Sequence, residues 1–76
     1  MKNELLEIKK IFQIVLTQCK SGITIEDLAH ETSYTEVDTM SYVLFLLEAE
    51  LIKADNNRYK PTDKAFEVAS NNWYLS

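Results

Sequence analysis

Residues 24–52 read "TIEDLAHETSYTEVDTMSYVLFLLEAELI" and decide the fold, because they contain the start signals of two successive helices. Thr24 and Thr35 each stand just before a segment with helical spacing of apolar residues. A threonine hydroxyl at such a position accepts a hydrogen bond from a free amide of the first helical turn. The sequence therefore predicts two helices with a tight turn between them, over residues 25–32 and 36–50.

The segment before this stretch predicts one more helix, over about residues 3–19. Its apolar residues recur every three or four positions, as on the buried side of an amphipathic helix, at Leu5, Ile8, Phe12, Val15 and Cys19. Gly22 follows and can adopt the positive φ that a helix end often requires. We interpret Cys19 as a small core residue, and Ile23 as one or two residues of strand.

The segment after this stretch predicts a β-hairpin, called the wing, over residues 51–61. Two β-prone runs flank a turn at Asp55-Asn56-Asn57, and asparagine tolerates the left-handed φ of a tight turn. Thr62 caps a C-terminal helix over 63–71, with Ala65, Phe66, Val68 and Ala69 directed inward. An aromatic tail follows at 72–76, and its Trp73, Tyr74 and Leu75 either fold back on the first helix or join a partner surface.

Composition indicates a globular, soluble chain. Of its 76 residues, 46% are hydrophobic and 26% charged, which separates it from disordered sequences. No stretch approaches the roughly 20 apolar residues of a membrane span. We expect a single domain over residues 1–76, mainly α with a small β-hairpin, located in the cytoplasm and without membrane contact.

Three segments carry a resemblance to a known family: "GITIEDLAHETSYT", "YVLFLLEAELI" and "YKPTDKAFEVA". Together with the element order, they resemble the small winged helix-turn-helix regulators of archaea and archaeal viruses, and more loosely the MarR-like and PadR-like regulators. The resemblance covers about residues 5–70 and implies a winged helix-turn-helix fold in which the third helix reads DNA. The chain departs from the pattern at Glu50 and Ala65, where these families favour glycine.

The third departure concerns charge. The exposed Lys and Arg of the family's reading helix are replaced in this chain by Glu36, Asp38 and Thr39. Residues 26–50 contain seven carboxylates and no Lys or Arg. Repulsion makes such a surface a poor match for DNA, which has one phosphate charge per roughly 1.7 Å of duplex.

The third helix is apolar on two sides, so either both sides are covered within the fold, with the wing and the first helix over Phe45 and Leu46, or one side exposes a patch that a partner binds. We expect one side, Val37, Met40, Val43, Leu44 and Leu47, to pack inside. The other side comprises Asp38, Tyr42, Phe45 and Ala49, flanked by Thr39 and Leu46. We expect this side to face outward and contact protein. Glu36 and the tail residues Trp73 and Tyr74 are the further candidates for this contact.

The main functional prediction is a non-enzymatic regulator that acts through protein contact. Its partner is either a second copy of the chain, which gives a homodimer, or a nucleic-acid-binding protein. The acidic helix would dock to that protein, mask it, or occupy its binding groove as a mimic of DNA. The alternative is a DNA-binding regulator that uses the basic residues around the wing and the start of the third helix, namely Lys53, Arg58, Lys60, Lys64, Thr35 and Thr39. No enzyme, metal, cofactor or small-molecule substrate is expected, and His30 is interpreted as a solvated side chain.

Overall fold

The computed structural model describes residues 4–18 and 20–70. The described residues form four helices and one two-stranded antiparallel hairpin. In chain order the elements are α1 (Glu4–Thr17), α2 (Ile25–Thr32), α3 (Glu36–Glu48), β1 (Ile52–Asp55), β2 (Arg58–Pro61) and α4 (Asp63–Ser70). The predicted order of helices and hairpin is therefore confirmed. No helix among the described residues is long and apolar enough to cross a bilayer.

Helices α2 and α3 both begin at the threonine caps that the sequence predicts. The Thr24 hydroxyl accepts a hydrogen bond from the Asp27 amide at 3.1 Å. The Thr35 hydroxyl accepts one from the Asp38 amide at 3.0 Å. Ser33 lies between the two helices with φ 62° and ends α2 in the left-handed region. These local contacts fix where α2 ends and α3 begins.

The end of α3 is a Schellman motif, and it comes at Glu48 instead of the predicted residue 50. Glu50 has φ 62°, its amide donates to the Leu47 carbonyl at 3.0 Å, and the Leu51 amide donates to the Leu46 carbonyl at 3.0 Å. The buried Leu51 side chain accompanies this pattern, as an apolar residue after a Schellman end often does. A glutamate therefore occupies a backbone position that favours glycine.

The hairpin forms as predicted. Asn56 and Asn57 have φ 51° and 66°, the pair of positive values that a type I′ turn requires. The register pairs Ile52 with Pro61, so the proline closes the ladder. Ile23 forms an isolated bridge to Tyr59 through two backbone hydrogen bonds, of 3.1 and 2.8 Å. The predicted short strand at Ile23 is confirmed and attaches the hairpin to the helices.

One hydrophobic cluster holds the elements together. Its buried members come from the four helices, from β1 and from the segments that precede α2 and β1: Ile8, Ile11, Phe12, Val15, Ile23, Leu28, Tyr42, Val43, Leu46, Leu51, Ile52 and Ala65. Tyr59 of β2 is partly buried against this cluster. Leu5 of α1 and Phe66 of α4 were predicted core residues but lie outside it, because both are about half exposed. Cys19 lies outside the described residues.

The face that α3 buries differs from the predicted one, although Val43 is buried and Phe45 exposed, as expected. Thr39 and Leu46 are fully buried and Tyr42 nearly so, although all three were expected on the outer side. Val37 and Leu44, expected inside, are exposed, and Leu47 is half-buried. Both sides of the helix carry large apolar residues, so periodicity could not distinguish them. One contact that holds the buried side of α3 joins residues distant in sequence: the Tyr42 hydroxyl donates a hydrogen bond to Glu7 of α1.

Candidate functional site

The outward surface of α3 is an apolar stripe two helical turns long. Val37, Met40 and Leu44 lie at the i, i+3 and i+7 spacing of one helical face, and their exposed fractions are 77, 37 and 52%. We call these three residues the outer stripe. Phe45, at its border, is 53% exposed. Exposed apolar side chains grouped on one helix are a typical feature of a binding surface.

Carboxylates surround the outer stripe. Glu36 lies at its N-terminal end and Glu48 at its C-terminal end, and both are exposed. The sequence has no Lys or Arg between Lys20 and Lys53. Glu48 lies in the last turn, which carries no basic residue, and there it faces the negative end of the helix dipole. The acidic end of α3 therefore costs the isolated fold some stability.

A groove adjoins the outer stripe at Met40, between the start of α2, α3 and the turn of the hairpin. Its volume is about 250 Å³, and it is lined by Thr24, Ile25, Glu26, Met40, Asn57 and Tyr59. We call it the α3–hairpin groove. Met40 belongs to both the groove and the outer stripe, so the two form one continuous surface. Ile25 and Tyr59 extend its apolar part, and the exposed Glu26 extends its negative charge.

The basic residues of the hairpin lie on its other face. Lys53 pairs with Lys60, and Asp55 pairs with Arg58 across the strands. Side chains alternate between the faces of a strand, so these four share a face, and Tyr59 of the groove lies on the opposite one. The positive charge of the hairpin is therefore turned away from the α3–hairpin groove.

Three of the four candidate DNA-binding cations already have intramolecular partners. The Lys60 ammonium lies 3.2 Å from the Asp55 carboxylate. Arg58 donates from Nη1 to the Gly22 carbonyl at 3.3 Å. Lys64 donates from Nζ to the Ala49 carbonyl at 3.0 Å, where it caps the end of α3. Such exposed contacts are weak and exchange with solvent, but they direct these side chains toward the protein's own backbone and carboxylates.

The structure changes the set of residues that could contact a partner. Phe45 and Glu36 are exposed, as expected, while Asp38 and Ala49 are half-buried. The placement of Tyr42 on the outer surface was wrong, because it is a core residue. Thr39 is wrongly placed too: its fully buried side chain cannot reach DNA or a partner.

The remaining predicted site residues are either engaged within the fold or lie outside the described residues. The Thr35 hydroxyl is engaged as the cap of α3. Trp73 and Tyr74 lie outside the described residues. The residues that the prediction missed are the outer stripe, Ile25 and Tyr59. The spacing of Val37, Met40 and Leu44 was visible in the sequence but was assigned to the core.

No group of three His, Cys, Asp or Glu side chains among the described residues lies close enough to hold a metal ion. His30 is exposed on α2, as expected.

Comparisons with known proteins add no family assignment. The chain matches no protein-family model, and no curated protein is significantly similar to it.

Proposed function

We propose that this chain is a winged-helix regulatory module that acts through protein contact made by the outward surface of α3. The order of three helices, a hairpin and a fourth helix supports the winged-helix layout. In such a layout α3 is the helix that projects toward a target. Its projecting side chains therefore decide the class of target.

One observation carries the proposal: the projecting side chains of α3 are apolar and acidic. Val37, Met40 and Leu44 are exposed, and Glu36 and Glu48 lie at the two ends of the stripe. DNA binding depends on Lys and Arg that neutralise phosphates, and this helix has none. Burial of apolar side chains against another polypeptide is the favourable alternative, since each fully buried aliphatic side chain contributes about 1.5–3 kcal/mol.

A second candidate is DNA binding through the hairpin. It is favoured by the shared face of Lys53, Arg58 and Lys60, which concentrates positive charge on one side of a short hairpin. Asp55 lies on the same face and pairs with Lys60, so the net charge there is smaller than the sequence suggests. The hairpin has four residues in each strand, so it would contact few phosphates.

A DNA titration tests the choice between the two classes. Fluorescence anisotropy with a labelled random duplex, at micromolar protein and about 50 mM salt, is sensitive to non-specific phosphate contact. We expect no saturable binding. Binding with a steep salt dependence that is lost in a Lys53→Ala/Arg58→Ala/Lys60→Ala variant, but kept in a Leu44→Ser variant, would overturn the proposal in favour of the hairpin.

A further inference from the structure

We infer that the outer stripe and the α3–hairpin groove bind a basic amphipathic helix of another protein. Its apolar side would cover Val37, Met40 and Leu44, and its Lys and Arg would meet the carboxylates around the stripe. This inference rests on the proposed function and adds the chemistry of the partner. Three features of the described residues support it: the shape of the surface, its charge, and the position of that charge on α3.

The shape fits a helix. The outer stripe follows the axis of α3 over two turns, and the α3–hairpin groove, with a volume of about 250 Å³, adjoins it at Met40. α3 is 13 residues long, so it is about 20 Å in length. A partner helix packs its ridges beside such a stripe and inserts apolar side chains at i, i+3, i+4 and i+7. Ile25 and Tyr59 supply apolar walls for these side chains.

The charge selects a basic partner and disfavours a second copy. Glu26, Glu36 and Glu48 are exposed around this surface, and the basic face of the hairpin points away from it. If two copies met through α3, an antiparallel arrangement would bring Glu36 against Glu48 of the other copy. A parallel arrangement would bring equivalent glutamates together. Like charges that face each other oppose association, whereas complementary potentials favour it and accelerate encounter.

The position of Glu48 indicates a role other than stability. A carboxylate in the last turn of a helix is unfavourable by about 0.3–1 kcal/mol because it faces the negative end of the dipole. No basic residue in that turn compensates it. Lys64 of α4 places its ammonium 3.0 Å from the Ala49 carbonyl at this end of the helix, and a lysine or arginine from a partner would add to that compensation. Stability and binding therefore make opposite demands on this residue, and the two can be measured separately.

The experiment uses two designed peptides of about 18 residues, long enough to span α3 at 1.5 Å per residue. Both carry Leu and Ile at i, i+3, i+4 and i+7. The basic peptide has Lys and Arg at its remaining positions, and the acidic peptide has Glu there. Each is labelled with fluorescein and titrated with the 76-residue chain, with anisotropy as the readout. The solution mass of the chain is measured in parallel by sedimentation equilibrium.

Variants locate the binding surface. Leu44→Ser removes part of the outer stripe, and Phe66→Ser on α4 is its control because Phe66 is also about half exposed. Glu36→Lys/Glu48→Lys reverses the charge around the stripe, and Glu67→Lys on α4 is its control. Circular dichroism and urea unfolding verify that every variant is folded before binding is compared.

We expect the wild-type chain to bind the basic peptide and not the acidic one. Leu44→Ser should weaken binding about tenfold, as loss of a central apolar contact commonly does, and Phe66→Ser should leave it unchanged. Glu36→Lys/Glu48→Lys should reverse the preference for the two peptides. Glu48→Gln should raise the urea midpoint of unfolding while it weakens binding of the basic peptide, a combination that a purely structural residue would not give.

Several results would overturn the inference. Equal binding of the two peptides, no binding of the basic peptide, or binding unaffected by Leu44→Ser would each contradict it and leave the proposed function standing. A homodimer that Leu44→Ser converts to a monomer would identify a second copy as the occupant, with the same consequence. Salt-dependent binding of duplex DNA through the hairpin would overturn both the inference and the proposed function.

Discussion

The phenol hydroxyl of Tyr42, on α3, donates a hydrogen bond to the carboxylate of Glu7, on α1. The Tyr42 ring also meets Tyr34 edge to face, with 5.8 Å between centroids and 71° between planes. These contacts hold the tyrosine side of α3 against the rest of the protein, and the opposite side, with Val37 and Leu44, becomes the surface.

The Tyr42 contacts predict a graded loss of stability. Tyr42→Phe retains the ring but removes the hydrogen bond, which should lower the free energy of unfolding by about 1 kcal/mol. Tyr42→Ala also empties a core site and should lower it by about 3–5 kcal/mol, as comparable aromatic truncations do. Urea unfolding followed by circular dichroism measures both. If Tyr42→Ala unfolds at the wild-type midpoint, Tyr42 lies on the surface and α3 buries its opposite side.

The buried hydroxyl of Thr39 predicts a stabilising substitution. Thr39 is fully buried, and its Oγ1 has no hydrogen-bond partner among the described residues. Thr39→Val keeps the shape and removes the unsatisfied group, so it should raise the free energy of unfolding by about 1–2 kcal/mol. Thr39→Ser is the matched control, because it retains the hydroxyl and loses the methyl group, and it should be destabilising. A Val variant less stable than wild type would mean that the hydroxyl is satisfied.

The backbone of Glu50 predicts a second stabilising substitution. A non-glycine residue in the left-handed region is strained by about 1–2 kcal/mol, and Glu50 has φ 62°. After the entropy that glycine gains in the unfolded chain is subtracted, Glu50→Gly should stabilise by about 0.5–1 kcal/mol.

Glu48→Gly is the control for Glu50→Gly, since it makes the same substitution within the helix. Glycine in a helical backbone costs about 0.5–1 kcal/mol, whereas removal of the Glu48 carboxylate from the negative end of the helix dipole returns about 0.3–1 kcal/mol. Glu48→Gly should therefore leave the free energy of unfolding nearly unchanged. Thermal unfolding of the two variants side by side separates the backbone effect from the loss of a carboxylate. Equal shifts of the two melting temperatures would contradict the assignment of the α3 end.

The turn at Gly22 predicts a destabilising substitution. Gly22 has φ 77°, and an added Cβ would lie 3.0 Å from Cβ of Arg58 and 3.3 Å from the Tyr59 carbonyl oxygen. Gly22→Ala should therefore cost about 2 kcal/mol, mainly from left-handed strain with a smaller part from crowding. The loss should appear in urea unfolding and should increase amide exchange at the Ile23–Tyr59 bridge. Unchanged exchange at that bridge would show that the hairpin is attached elsewhere.

Local signals predicted much of the fold. The threonine caps of α2 and α3, the glycine after α1 and the Asn56-Asn57 turn each act within a few residues, so their effects can be derived from sequence. The orientation of α3 could not be, because Val37, Met40 and Leu44 are as apolar as the buried side. Thr39 and Tyr42, which look polar in the sequence, belong to the core.

The charge of the candidate site was predicted from the sequence, and its residues were predicted in part, at Glu36 and Phe45. The absence of Lys and Arg from α3 is a property of the sequence, and the expectation of a target other than DNA was based on it. The α3–hairpin groove depends on how the start of α2 approaches Tyr59 of the hairpin. That approach results from long-range packing and from the Ile23–Tyr59 bridge, which has no signature in local periodicity.

Nuclear magnetic resonance mapping tests the central claim, that α3 contacts protein and not DNA, most directly. The amide shifts of a ¹⁵N-labelled chain would be recorded during separate titrations with the basic amphipathic peptide and with a random DNA duplex. We predict that the peptide shifts the amides of residues 36–48, Glu26 and Tyr59, and that the duplex shifts none of them. Duplex-induced shifts concentrated at Lys53, Arg58 and Lys60, with no response of α3 to the peptide, would contradict the account.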